Sequence, residues 1–180
     1  MKRALTIAFF MIMVVCLAAC NSSAVPTDEE VEAAYQQAVE AYSWFNLTTM
    51  PMKEDSRVDQ DGYIYFEVKH DSIKSLADLE SHLKKFFTDE IVAGLLADMG
   101  AHYVDIDGVL YATPADRGSN IFADKEYHKI VHKSDKEIVY QVTVDMLDED
   151  LENVIDQEEF SFKYEPVDGK WVFTNFELVR

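Results

Sequence analysis

Apolar positions fall into helical spacing in the first half of the chain and into alternation in the second. Val31, Tyr35, Ala38, Tyr42 and Phe45 are separated by steps of 4, 3, 4 and 3, which places them on one face of a helix. Thr27-Asp28-Glu29-Glu30 precedes them as a capping box, with acids in the first turn to suit the helix dipole. A helix is predicted from 28 to about 47, ahead of Pro51. Tyr63 to Lys69 is aromatic and β-branched and reads as a strand, with Asp61-Gly62 closing a short hairpin back toward Arg57. Ser75 to Asp78 caps a second helix whose face is Leu76, Leu79, Leu83 and Phe87. Thr88 caps a third, with Ile91, Leu95 and Met99 on its face and Gly100 as its stop.

From Ala101 the period changes to two. Segments 102–106 and 109–113 flank Asp107-Gly108, a strong hairpin signal. Segments 126–132 and 137–146 flank a turn at Lys133 to Lys136, and 159–165 and 170–178 flank Pro166 to Gly169. Ile138, Tyr140, Val142, Val144 and Met146 share one face and mark the strongest strand. The prediction is an α+β domain in which one N-terminal helix and two short helices cover a curved antiparallel meander. That element order resembles cone-shaped cystatin-like and nuclear-transport-factor-like folds, an analogy that carries no function.

The leader changes what belongs to this domain. Lys2 and Arg3 precede an uncharged apolar run from Ala4 to Leu17, shorter than the roughly 20 residues of a spanning helix and suited to a signal peptide. Leu17-Ala18-Ala19-Cys20 matches a bacterial lipobox, so 1–19 is read as a lipoprotein signal and Cys20 as the acylated residue. Residues 20–26 form a tether; the stretch 21–26 reaches about 20 Å when extended. Residues 27–180 form one domain, held on the outer face of the cell membrane by lipid alone. The two cysteines of the chain are Cys16 and Cys20, which leaves the domain no thiol for a disulfide, a metal or a nucleophile. Losing Lys2 and Arg3 takes the 16 bases to 14 against 34 acids, a balance of −20. Nucleic acid and anionic headgroups are poor partners for that charge.

Chemistry-bearing motifs are sparse. A phosphate loop, G-x-S-x-G and H-E-x-x-H are absent from the sequence. His128 and His132 would share a metal on a helix, but on the predicted strand they stand about 13 Å apart. Asp145 to Glu159 contains eight acids and no base; Asp148-Glu149-Asp150 lacks the glycine of a calcium loop, which leaves a solvated loop or a protein-binding surface with Glu152. Asp105, Asp145, Tyr63 and Tyr103 could form the buried Asp/Tyr pair of a pocket enzyme. The loop from Thr113 to Ala123, with Pro114, Asp116, Arg117, Gly118, Ser119 and Asn120, is longer than a sheet connection needs. It reads as a connector, as a stiff plug for a partner's cleft, or as a structural element if Arg117 binds back onto the protein's own acids.

Ser75 to Leu79, Phe86 to Glu90, Ile106 to Tyr111, Asp116 to Ser119 and the closing Asp168 to Phe173 together resemble the IseA-type DL-endopeptidase inhibitor family of Gram-positive bacteria. The resemblance spans Tyr63 to the C-terminus. It implies a protein inhibitor, not an enzyme, that acts on NlpC-type cysteine hydrolases of the peptidoglycan stem peptide; a monomer without cofactor or metal is expected from the sparse motifs. Family members are often simply secreted, so the lipobox is a departure that confines the partner to hydrolases near the membrane. The alternatives are a lipid-anchored module for a small ligand and the pocket enzyme. Either of these needs a deep cone with convergent polar groups, whereas an inhibitor needs a filled cone and a protruding loop.

Overall fold

A computed structural model describes residues 24–98 and 102–179. Helix α1 (Asp28–Asn46) starts at the expected box: the Thr27 hydroxyl accepts from the Glu30 amide and the Glu30 carboxylate accepts from the Thr27 amide. Its buried face is Val31, Tyr35, Ala38, Ala41, Trp44 and Phe45, so Trp44 takes the core position expected of Tyr42, which is only partly buried. Strands β1 (Val58–Gln60) and β2 (Tyr63–Glu67) form the Asp61-Gly62 hairpin. Helices α2 (Leu76–Leu83) and α3 (Asp89–Asp98) meet at Thr88, and Val92 rather than Ile91 joins Leu95 in the core. Met99 and Gly100 lie outside the described residues.

The strands are antiparallel, as expected, and divide into two sheets. Strands β3 (Tyr103–Ile106) and β4 (Val109–Ala112) join the first hairpin in a sheet of order β1-β2-β4-β3. Strands β5 (Ala123–Ser134), β6 (Glu137–Leu147), β7 (Val154–Val167) and β8 (Lys170–Phe173) form a second antiparallel sheet in sequence order. The fold is α+β on antiparallel sheet, and the second sheet curls into a half-barrel. Register shifts between Ala123 and Glu126, between His132 and Ser134 and between Met146 and Leu147 supply local bends. Strand β7 begins at Val154, five residues earlier than expected, and β8 ends at Phe173 instead of 178.

Asp-Gly pairs set three hairpins. Asp61-Gly62, Asp107-Gly108 and Asp168-Gly169 all have positive φ at both residues, the requirement of a tight turn that follows strand twist. Pairing of Val167 with Lys170 shortens the last turn to two residues.

The core lies between α1 and the inward row of the second sheet. Ile138, Tyr140, Val142 and Val144 are fully buried, with Phe162 and Phe160 opposite Tyr140 and Val142. Tyr35 of α1 stacks on Tyr140 at 3.9 Å between ring centroids and contacts Phe162, Phe173 and Phe176. Such ring pairs add about 0.5–1.5 kcal/mol to the burial of their area. The α2–α3 junction is fastened to β8, where the Thr88 amide donates to the Phe173 carbonyl and the Phe173 amide donates to that of Phe86. Two ends result. The start of α1 sits at the far end of β5, with His132 Nε2 at 2.7 Å from Asp28. The end of α1 sits beside the loop between β4 and β5, with the Arg117 amide donating to the Leu47 carbonyl.

Candidate functional site

The loop between β4 and β5 is half bound and half projecting. Thr48 pairs with Asp116 as a β-bridge, the Thr48 hydroxyl donates to the Ala115 carbonyl and the Thr49 hydroxyl to that of Thr113. Pro114 and Asp116 thus wall an open groove of about 570 Å³ over Trp44, Met50 and Met52. The Arg117 guanidinium lies 3.5 Å from His102 Nε2, so its neighbour here is a histidine, where the structural alternative had it bind acids. Beyond this point the loop turns outward. Gly118 has φ +70° and its amide donates to the Asp116 carboxylate, Ser119 is exposed, and the Asn120 side chain accepts from the Phe122 amide. Only the second half of the loop projects from the body of the protein.

That second half reaches the acidic turn. The Leu147 amide donates to the Phe122 carbonyl, and Leu147 pairs with Val154 across the β6–β7 turn. The two segments singled out in the sequence thus share one end of the second sheet. Within the turn, the Asp148 carboxylate accepts from the amides of Glu152 and Asn153 and from the Asn153 side chain. The Asn153 amide group first, then these backbone donors, hold the Asp148 carboxyl below the usual carboxylate range. Asp148 is thus the organiser of the turn, while Glu149, Asp150 and Glu152 project into solvent. Leu151 adopts φ +58°, which turns its side chain outward from a backbone form rarely used by leucine.

The residues missed by the sequence reading are apolar. Ile121 and Ile155 are 67% and 68% exposed, Val154 and Leu151 52% and 44%, and Phe122 37%. They belong to the two neighbouring segments just described, which makes an apolar end framed by acids. The signal available in the sequence was Val154-Ile155 set inside an acidic stretch with no polar alternation to bury it. The end of α1 adds to the field, because its last turn contains no base to offset the negative pole of the helix.

Spaces for a ligand differ in size, and the groove of about 570 Å³ over Trp44 and Met50 is within the range of ligand sites. A cleft of about 220 Å³ between α1, β5 and the C-terminal segment is lined by Gln36, Val39, Ser43, Glu126 and Leu178, against about 300–1,000 Å³ for typical ligand sites. The Asp/Tyr candidates do not converge. Asp105 is exposed and accepts from the Gly108 amide, Tyr63 is half exposed, and buried Tyr103 bonds the Trp44 carbonyl and the Met50 amide. Asp145 is buried, 6% exposed, and accepts from Gln157 and from the hydroxyl of Tyr127, a partner other than the tyrosines expected. His128 bonds Tyr140 and His132 bonds Asp28, and among the described residues no three metal-ligating side chains converge.

Comparison with protein-family models and with curated proteins finds no match for this chain.

Proposed function

We propose that this protein is a lipid-anchored inhibitor of peptidoglycan DL-endopeptidases of the NlpC type, and that it binds them through the apolar, acid-rimmed end of the second sheet. One observation carries the docking surface: Ile121, Phe122, Leu151, Val154 and Ile155 are all exposed at the end of the second sheet where the β4–β5 loop and the β6–β7 turn meet, on a domain whose interior is filled by aromatic rings. Exposed apolar residues clustered within a polar rim mark interaction sites. The rim of Glu149, Asp150, Glu152 and Asp156 suits a basic cleft. The hydrolase class comes from the sequence resemblance, and the export signal places the domain where such enzymes act.

The test is inhibition of purified NlpC-type endopeptidases in a peptidoglycan-clearing assay. The wild-type domain is expected to inhibit at micromolar or lower concentration. The double variant Ile121→Asp/Ile155→Asp should fold normally, since both side chains are largely in solvent, and should lose at least tenfold in potency. A folded double variant of unchanged potency moves the interface elsewhere. A wild-type domain without effect on any such enzyme removes the inhibitor reading.

A further inference from the structure

Two observations about the ends of the molecule combine. Residue 27, where the tether enters α1, lies at the pole formed by the β5–β6 hairpin, because Asp28 meets His132 two residues before β5 ends at Ser134. The other end of α1 meets the β4–β5 loop, where the Arg117 amide donates to the Leu47 carbonyl, and the loop continues from there to Ile121 and Phe122 of the docking end. The 19 residues of α1 separate the two by about 28 Å, at about 1.5 Å per residue.

Charge is divided along the same axis. The hairpin pole has both signs, with Lys133, Lys136 and His132 against Asp28, Glu29, Glu30 and Asp135. The docking pole has Asp148, Glu149, Asp150 and Glu152 in its turn and Asp116 and Asp124 beside the apolar residues of the loop, against Arg117 and Lys125, and from Glu137 to Phe162 there is no base at all. An anionic membrane face repels the docking pole more strongly than the hairpin pole. A domain lying flat would press the acidic turn against headgroups, while an upright one keeps it beyond their screened field.

We infer that the anchor and the docking end occupy opposite poles, so that the protein stands upright on the membrane and offers its docking end toward the wall. The partner is then a hydrolase whose substrate cleft faces the membrane, met at a height set by α1 and the tether. This inference rests on acylation of Cys20 and on the docking end described above.

Energy transfer to the membrane tests it without any hydrolase. The full-length lipidated protein is reconstituted in phosphatidylglycerol-containing vesicles with a headgroup-labelled acceptor lipid. A donor dye is placed on Asp135→Cys at the hairpin pole or on Asp150→Cys at the docking pole. Transfer from the Asp150→Cys dye is expected to be at least several-fold weaker than from the Asp135→Cys dye. Equal transfer, or the reverse order, overturns the upright arrangement. Protein that fails to float with the vesicles refutes the anchor and this inference with it. The clearing assay on the soluble domain judges the inhibitor reading separately.

Discussion

Tyr140 is fully buried and yet has a hydroxyl to satisfy. It donates to Glu32 on α1 at 2.6 Å and meets His128 Nδ1 at 2.9 Å, so one polar bridge ties the helix to two strands inside an aromatic core. Burial, and then the Glu32 carboxylate, push the phenol far above its ordinary range and keep it a donor. Tyr140→Phe leaves Glu32 and His128 without this partner and should cost about 1–3 kcal/mol in urea unfolding. Burial alone would raise the Glu32 carboxyl, but the bonds from Tyr140 and Gln36 outweigh it and bring the group below its ordinary 4.5. A lowered carboxyl binds protons less readily in the folded chain than in the unfolded one. Its stabilisation is therefore fully present above pH 4.5 and is lost as pH falls through the folded pKa. The stability difference between wild type and Glu32→Gln should hold at neutral pH and shrink on acidification, as read by thermal melts across the acid range. A constant difference would remove Glu32 from the acid response.

At the scale of elements, turn chemistry decides where strands begin and end. Gly108 sits at φ +81° with open space where a Cβ would go, so Gly108→Ala meets strain in the backbone and no clash. That strain should destabilise by about 1–2 kcal/mol while the sheet order survives, as seen by chemical denaturation and circular dichroism. The cap of α1 stands at the tether pole, and Thr27→Ala removes the acceptor for the Glu30 amide. A loss of about 1 kcal/mol is expected, with faster amide exchange confined to the first turn of the helix. Exchange that rises across the second sheet as well would show that the cap controls more than its own helix.

For the whole molecule, electrostatics gives the sharpest expectation. The net charge of −18 and the acidic docking pole should speed encounter with a basic cleft. Screening within about 8 Å at physiological salt should slow association as salt rises, while dissociation changes little. Surface-plasmon measurements from low to high salt check this, and an association rate independent of salt would count against steering. Neutralising Glu149, Asp150 and Glu152 together should flatten the salt dependence, and Asp148 is best left intact because it holds the turn. Cys20→Ala should shift the protein from the membrane fraction to the medium. A variant still bound to membrane would refute acylation there.

Much of the fold was written in local pattern. Steps of three and four placed α1, alternation placed β6, and three Asp-Gly pairs placed their hairpins, because caps and tight turns depend on residues only a few positions apart. The lipobox, the acid excess and the loop from 113 to 123 were equally local, and so was the resemblance that names a hydrolase class. Tertiary structure decided what depends on distant partners. It split the strands into two sheets, because β2 pairs with β4 across the intervening helices. It bound the first half of the loop to residues 47–49, made Asp148 a turn organiser and buried Trp44 in place of Tyr42. Above all it gathered Ile121 and Phe122 with Leu151, Val154 and Ile155 at one end, a set that no spacing reveals because its two segments, some thirty residues apart, meet only through strand pairing.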